Sequence, residues 1–206
     1  TLSITARTPF DRDPITSPEP PRTVLALDGE EVGRRILEQS PVIQAYLKTR
    51  RQPAPIEVAP DRPTVWEAEN AGLTMHVEVA SDPAASEGAF LWAPEEDGQR
   101  GGEGRATYML RVAAAGRYTL AGRVLTPTPD DDSFFVSACD AAGAVVLPEI
   151  VWSPGVFRTW TWRDVSEPGV RGPLALKLPQ GSVTLILRPR EAGSKIDQLR
   201  LTPLPE

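Results

Sequence analysis

From Thr64 onward, the apolar residues of this chain recur in short alternating runs broken by Gly, Pro and Asp. Tyr108, Leu110 and Val112 alternate with other residues, as do Tyr118, Leu120 and Gly122, and Leu185 and Leu187. A period of two residues presents one side of each run to a core and the other to water, the pattern of half-buried β-strands. Strands are predicted over 65–69, 74–79, 88–92, 106–113, 117–125, 134–138, 144–151, 159–165, 174–178, 183–188 and 196–202. Ala115-Gly116 and Gln180-Gly181 supply turn chemistry between such runs. Many short strands with no long helical period predict an all-β fold, a jelly-roll β-sandwich over residues 64–206. There is no internal repeat and no heptad.

The pattern upstream is different. Ten of the 22 prolines fall within residues 1–63, and Ser17-Pro18-Glu19-Pro20-Pro21 and Pro53-Ala54-Pro55 read as extended linker. Within this Pro-rich extension, Asp28-Gly29-Glu30-Glu31 offers a cap and an acidic first turn, followed by Val32, Ile36 and Leu37 at helical spacing. Ser40-Pro41 starts a second helical pattern, with Val42, Ile43, Tyr46 and Leu47 as its apolar stripe and Lys48, Arg50 and Arg51 at its end. A kinked or double helix is therefore expected over about residues 29–50. Two short helices bury little alone. They need the downstream domain, a second copy or a neighbour to dock on.

Composition narrows the function. With 40% hydrophobic and 24% charged residues, the 206-residue chain can build a core. A net charge of -6 argues against a protein that tracks nucleic-acid phosphates. The single cysteine, Cys139, excludes a disulfide framework and a Cys-rich zinc site, and the single histidine, His76, excludes mechanisms needing two imidazoles. No apolar run approaches the length of a membrane span. The chain begins at Thr1 without a basic, apolar leader, so the expectation is a removed signal peptide or a piece of a larger protein. Neither Cys139 nor any serine sits in a nucleophile-elbow context, and Gly101-Gly102-Glu103-Gly104 reads as a turn between strands. A carboxylate pair for glycoside hydrolysis stays open, because acid pairs are common in sequence. The reading is a protein that is not an enzyme.

Several residues invite a chemical role. In a strand, Glu67 and Glu69 project to one face. They are either a solvated surface or part of the oxygen shell of a hard cation such as calcium. Asp197 interrupts an apolar final strand between Ile196 and Leu199, so it faces outward or is bound to something. Trp92 precedes the polar loop Ala93-Pro94-Glu95-Glu96-Asp97-Gly98, and Trp152 precedes the turn Ser153-Pro154-Gly155. Loop-end indoles can stack on the C–H faces of sugar rings or pack in a core. Core packing is the reading for Trp66 and Trp162, while Trp160 stays open and alternates with threonine on the same face as Trp162. Asp130-Asp131-Asp132 is a solvated turn, or an acceptor for sugar hydroxyls or an ion.

These features fall in a recognisable order. Glu67-Ala68-Glu69 is followed by Ala85-Ser86-Glu87-Gly88, then by Ala114-Ala115-Gly116-Arg117-Tyr118-Thr119-Leu120-Ala121-Gly122-Arg123-Val124. After these come Asp132-Ser133-Phe134-Phe135-Val136, Thr159-Trp160-Thr161-Trp162, Leu178-Pro179-Gln180-Gly181-Ser182-Val183-Thr184-Leu185 and Arg190-Glu191-Ala192-Gly193-Ser194-Lys195-Ile196-Asp197. The series resembles a carbohydrate-binding module of the galactose-binding-like β-sandwich type, closest to families six and thirty-five, over about residues 64–203. The resemblance implies a structural calcium ion held by Glu67, Glu69 and Asp197 with main-chain oxygens near Glu87. One ion there would neutralise clustered acid and tie the first and last strands. It also implies a ligand site in loops at one end of the sandwich, with Trp92 and Trp152 or Trp160 in the aromatic roles. The family's asparagine position is held by Lys195, which can donate to hydroxyls or pair with a uronate carboxylate.

The expected function is a non-catalytic carbohydrate-binding module in a larger secreted or surface polysaccharide-processing protein. Its sugar contacts would be Trp92, Trp152, Trp160, Asp132 and Lys195, and its partners a polysaccharide or glycan and a neighbouring catalytic domain. Nucleic acid and a membrane span are not expected. The alternative is a structural or interaction β-sandwich without sugar binding, and an acid-based lyase or hydrolase is the third reading. Calcium use, near-absence of cysteine and acidic charge favour an extracellular, periplasmic or cell-surface location.

Overall fold

The computed structural model describes residues 53–74, 76–94 and 104–205. The helices expected over about 29–50, the loop residues 95–98 and the glycines at 101 and 102 lie outside the described residues. The described strands are β1 (Ile56–Val58), β2 (Thr64–Glu67), β3 (Gly72–Leu73), β4 (Glu78–Ser81), β5 (Ala89–Trp92), β6 (Ala106–Val112) and β7 (Gly116–Thr126). They continue with β8 (Phe134–Asp140), β9 (Val145–Trp152), β10 (Phe157–Asp164), β11 (Ala175–Leu178), β12 (Gly181–Pro189) and β13 (Lys195–Pro203). No helix among the described residues is long and apolar enough to cross a membrane.

The strands form two sheets. The first runs β1-β6-β12-β8-β9, with β3 beside β6. The second runs β10-β7-β13-β5-β4, with β11 beside β7 and β2 beside β13. The alternation explains the pairing of faces. Ala106, Tyr108, Leu110 and Val112 of β6 and Val183, Leu185 and Leu187 of β12 are buried. They meet Tyr118, Leu120 and Val124 of β7 and Ile196, Leu199 and Leu201 of β13 in one core. Thr119, Arg123 and Leu125, at the other parity of β7, therefore face out from the second sheet. Two large aromatics that enter the core place their polar atoms on backbone carbonyls. The Tyr108 hydroxyl donates to the Ala68 carbonyl at 2.8 Å, and Trp152 Nε1 donates to the Asp164 carbonyl at 3.0 Å.

The jelly-roll sandwich expected from the sequence is the fold observed, with local differences. The first sheet begins upstream of Thr64. Ile56 and Val58 flank Glu57 in a three-residue strand that pairs in parallel with Leu110–Val112 of β6. The strand expected over 65–69 ends at Glu67. There Ala68 N–H turns to the Asp197 carbonyl at 2.8 Å, and Asn70 N–H to the Glu67 carbonyl at 3.1 Å. The strand expected over 74–79 is found only from Glu78, where β4 begins, because His76 has φ 67° in the left-handed region that no strand accommodates.

Candidate functional site

One group of side chains forms where the start of the domain meets its last strand. Asp197 sits at a bulge in β13, between the pairs Ile196↔Val124 and Gln198↔Arg123. Its carboxylate is fully buried. Oδ1 accepts the Ser86 N–H at 3.0 Å, and Oδ2 is paired with Arg123 Nη1. Glu67 faces it from β2. Its Oε1 accepts the Ser86 hydroxyl at 3.0 Å and Gln198 Nε2 at 2.7 Å. Glu69 stands in the turn after β2 rather than in the strand, so the turn, not strand alternation, brings the two glutamates together.

The electrostatics of this corner are strained by like charge. Burial pushes the Glu69 carboxyl up to about 7, and the negative charges of Glu67, Asp197 and Glu87 push in the same direction. Burial also raises Asp197, against the Ser86 N–H and the Arg123 charge, which favour its ionised form. Two oxygens, Glu67 Oε2 and Glu69 Oε2, are buried without a hydrogen-bond partner among the described residues. Buried carboxylate oxygens with nothing to accept from suit a hard cation, which takes oxygen ligands. Glu67 and Glu69 therefore fit a calcium ion, although among the described residues no three His, Cys, Asp or Glu side chains gather as a formed cage. Asp197 already holds a cationic partner, so its share in such a shell would be additional to Arg123.

A second group lies beside the first, on the outward face of the second sheet. Trp92 pairs with Lys195 across β5 and β13, and Phe90 stands two residues before Trp92 on the same face. Lys195 Nζ lies 5.5 Å from the Phe90 ring centre and 5.9 Å from that of Trp92. Trp160 of β10 packs on Phe90 with ring centres 5.4 Å apart. Arg123 lies 5.9 Å from the Trp160 ring centre, and Trp160 Nε1 donates to Asp82 Oδ2 at 2.9 Å. The Ala84 N–H and this indole N–H hold the Asp82 carboxyl below its ordinary range. Trp92, Trp160 and Lys195 are half-buried, with polar groups at their margins.

Three of the five expected sugar contacts thus come together. The other two do not. Trp152 is fully buried: it ends β9 opposite Phe134, stacks on that ring at 5.3 Å and fills the space left by Gly122. It is a core residue, not a loop-end platform. Asp132 stands in the loop after β7, where its N–H donates to Glu191 Oε2 at 3.0 Å. Burial and the Glu191 charge raise its carboxyl. No hydrogen bond or ring contact joins Asp132 to the aromatic group among the described residues. Trp66 is in the core as expected, but Trp162 is not. It pairs with outward-facing Arg123 and lies under Arg200, whose guanidinium is 4.5 Å from its ring centre.

Sequence reasoning missed Phe90, Asp82 and Arg123. For Phe90 a signal existed, since it is two residues from Trp92 and shares its strand face. Asp82 and Arg123 carried none, because each acts through partners far away in the chain.

No family model matches the chain, and no curated protein matches it. Among solved structures it is similar to the GH26-CBM35 β-(1,4)-mannanase of Podospora anserina, with 22% identity and a TM-score of 0.52 over 71% of this chain and 28% of that one. It is also similar to the isomaltodextranase of Arthrobacter globiformis T6 complexed with panose, with 18% identity and a TM-score of 0.52 over 68% of this chain and 23% of that one. The mosquito-larvicidal Cry4Aa toxin of Bacillus thuringiensis matches with 9% identity and a TM-score of 0.53 over 74% of this chain and 25% of that one. The chain spans about a quarter of the length of each of these proteins. The likeness establishes the fold alone, a jelly-roll β-sandwich. A mannanase and a toxin both match it, so the side chains of the site must decide the function.

Proposed function

We propose that residues 53–205 form a non-catalytic carbohydrate-binding module whose ligand is a polysaccharide or glycan. The observation that carries this reading is the gathering of Trp92, Lys195 and Trp160 on one outward face over the buried Phe90 ring, with Asp82 and Arg123 at its edge. Indole faces offer apolar area to sugar C–H groups, while Lys195 offers a donor to hydroxyls. The margin of polar groups fixes orientation, and the rings supply most of the affinity.

Calcium belongs to this reading as a structural ion. Glu67 and Glu69 would hold it through their unpartnered oxygens, with Asp197 and main-chain oxygens near Glu87 completing the shell. It would supply positive charge where like charges now oppose each other. The module would work beside a neighbouring catalytic domain, in a location outside the cytosol where calcium is plentiful. The spans of about a quarter of the mannanase and dextranase chains are consistent with that arrangement.

Affinity electrophoresis against a panel of soluble polysaccharides tests the platform. Trp92→Ala and Trp160→Ala are each expected to weaken retention about tenfold while leaving the melting temperature of the fold nearly intact. Retention unchanged in both variants removes the assigned site, and turnover of any polysaccharide by the purified chain makes it an enzyme. A structural or interaction domain is the second reading, and one feature favours it. On the outward face of the first sheet, Met109, Thr184, Cys139 and Val145 form a row across four strands. Met109 is 48% and Val145 72% exposed. Silence on every glycan together with concentration-dependent self-association is the result that selects it.

A further inference from the structure

We propose that the loop 82–88 mechanically links the acidic corner to the aromatic platform, with Arg123 and Asp82 as positioning residues, so that a divalent cation held by the glutamates fixes the Trp160 indole. The inference rests on the proposed reading of both groups, and it adds a dependence between them that neither reading contains.

The loop is tied to itself. Asp82 N–H donates to the Gly88 carbonyl at 3.1 Å, Ala85 N–H to the Asp82 carbonyl at 3.0 Å, and Gly88 N–H to the Ala85 carbonyl at 3.2 Å. Such a closed loop moves as a unit rather than residue by residue. One side of it grips the acids: the Ser86 N–H holds Asp197 and the Ser86 hydroxyl holds Glu67. The other side grips the platform, since Asp82 Oδ1 accepts the Ala84 N–H at 2.8 Å while Oδ2 accepts the Trp160 indole N–H at 2.9 Å. Arg123 spans both sides. Nη1 pairs with Asp197, Nη2 donates to the Ala84 carbonyl at 3.2 Å, and the same guanidinium faces the Trp160 ring.

The loop also carries Glu87, in a left-handed conformation with φ 50°, and its charge adds to the repulsion felt by Glu69. Glu87 and Glu69 oppose each other, while Ser86 and Arg123 hold the loop against Glu67 and Asp197. A cation held by the glutamates would offset that opposition and strengthen the loop's hold in the position it already occupies. Asp82 travels with the loop, and the Trp160 indole is hydrogen-bonded to Asp82. Cation and saccharide therefore share no ligand residue, yet each favours the same loop position, which makes their binding mutually reinforcing.

The test is a calcium titration of the whole chain followed by tryptophan emission, in the wild type and in Trp160→Phe. Phenylalanine keeps a ring against Phe90 but cannot donate to Asp82. Calcium is expected to change emission in the wild type and not in the variant, while raising the melting temperature of both. Asp82→Ala, which leaves every indole in place and cuts the tie, is expected to abolish the emission change as well. In the same proteins, calcium is expected to raise wild-type affinity for a retained polysaccharide about tenfold and to leave the affinity of Asp82→Ala unchanged. An emission response that survives in both variants, or its absence from a wild type that calcium stabilises, overturns the linkage. A wild type that retains no polysaccharide sinks the platform reading instead, and the emission result then decides the linkage alone.

Discussion

Arg123 has a burden out of proportion to its place in an ordinary alternating strand. Asp197 is buried, and its one cationic partner among the described residues is this guanidinium. Arg123→Met leaves the carboxylate without counter-charge, which costs about 3–5 kcal/mol when one member of a buried pair is removed. The expected reading is a lower urea midpoint at an unchanged m-value, partly restored by calcium. Arg123→Lys keeps a charge but cannot hold Asp197 and the Ala84 carbonyl together, so its recovery is incomplete. The individual residues of the site were unevenly legible. Trp92 was legible as the end of the strand expected over 88–92, whereas Lys195 entered only through the resemblance, at the family's asparagine position. Trp152 could not be separated from them, since a tryptophan beside a Ser-Pro-Gly turn looks alike whether it points inward or outward. Only the pairing of Trp152 with Phe134 decides its direction.

The central pair of strands, β7 and β13, shows how tightly the core constrains backbone choice. Leu199 pairs with Gly122, and a Cβ on that glycine would lie 2.6 Å from the Trp152 ring and 2.9 Å from the Ile196 side chain. Gly122→Ala is therefore expected to destabilise the domain by about 1–3 kcal/mol through overpacking, read as a lower thermal midpoint with glycan retention at 20 °C preserved. The regular strands β6, β7 and β12 were plain from their alternation, because nothing interrupts it. The misjudged elements share a physical cause. The turn after Glu67 depends on a carbonyl of Asp197, about 130 positions later in the chain, which no local pattern reveals. In β10, the facing is set by its pairing with β7, well away in the chain: Trp162 lies opposite outward-facing Arg123, and so it is outward where core packing was expected.

For the molecule as a whole, the acidic corner predicts an unusual pH response. Glu69 has its carboxyl at about 7 in the folded state against 4.5 ordinarily, so the native state holds the proton that the unfolded chain releases. Between about pH 4.5 and pH 7 the folded protein binds more protons, and stability falls as pH rises through that window. Differential scanning calorimetry in chelator is expected to show this decline, and both calcium and Glu69→Gln are expected to flatten it. A melting temperature insensitive to chelator across the window removes the cation from the account.

The order of strands has a consequence for biosynthesis. The strand at the heart of the second sheet, between β7 and β5, is β13, the final one in the domain. A ribosome that has made everything up to Ser194 has delivered two flanks without the member that joins them, so the nascent chain must wait, apolar surfaces uncovered, until its last segment clears the exit tunnel. Closure of the second sheet is then a late event, set by the arrival of its final strand.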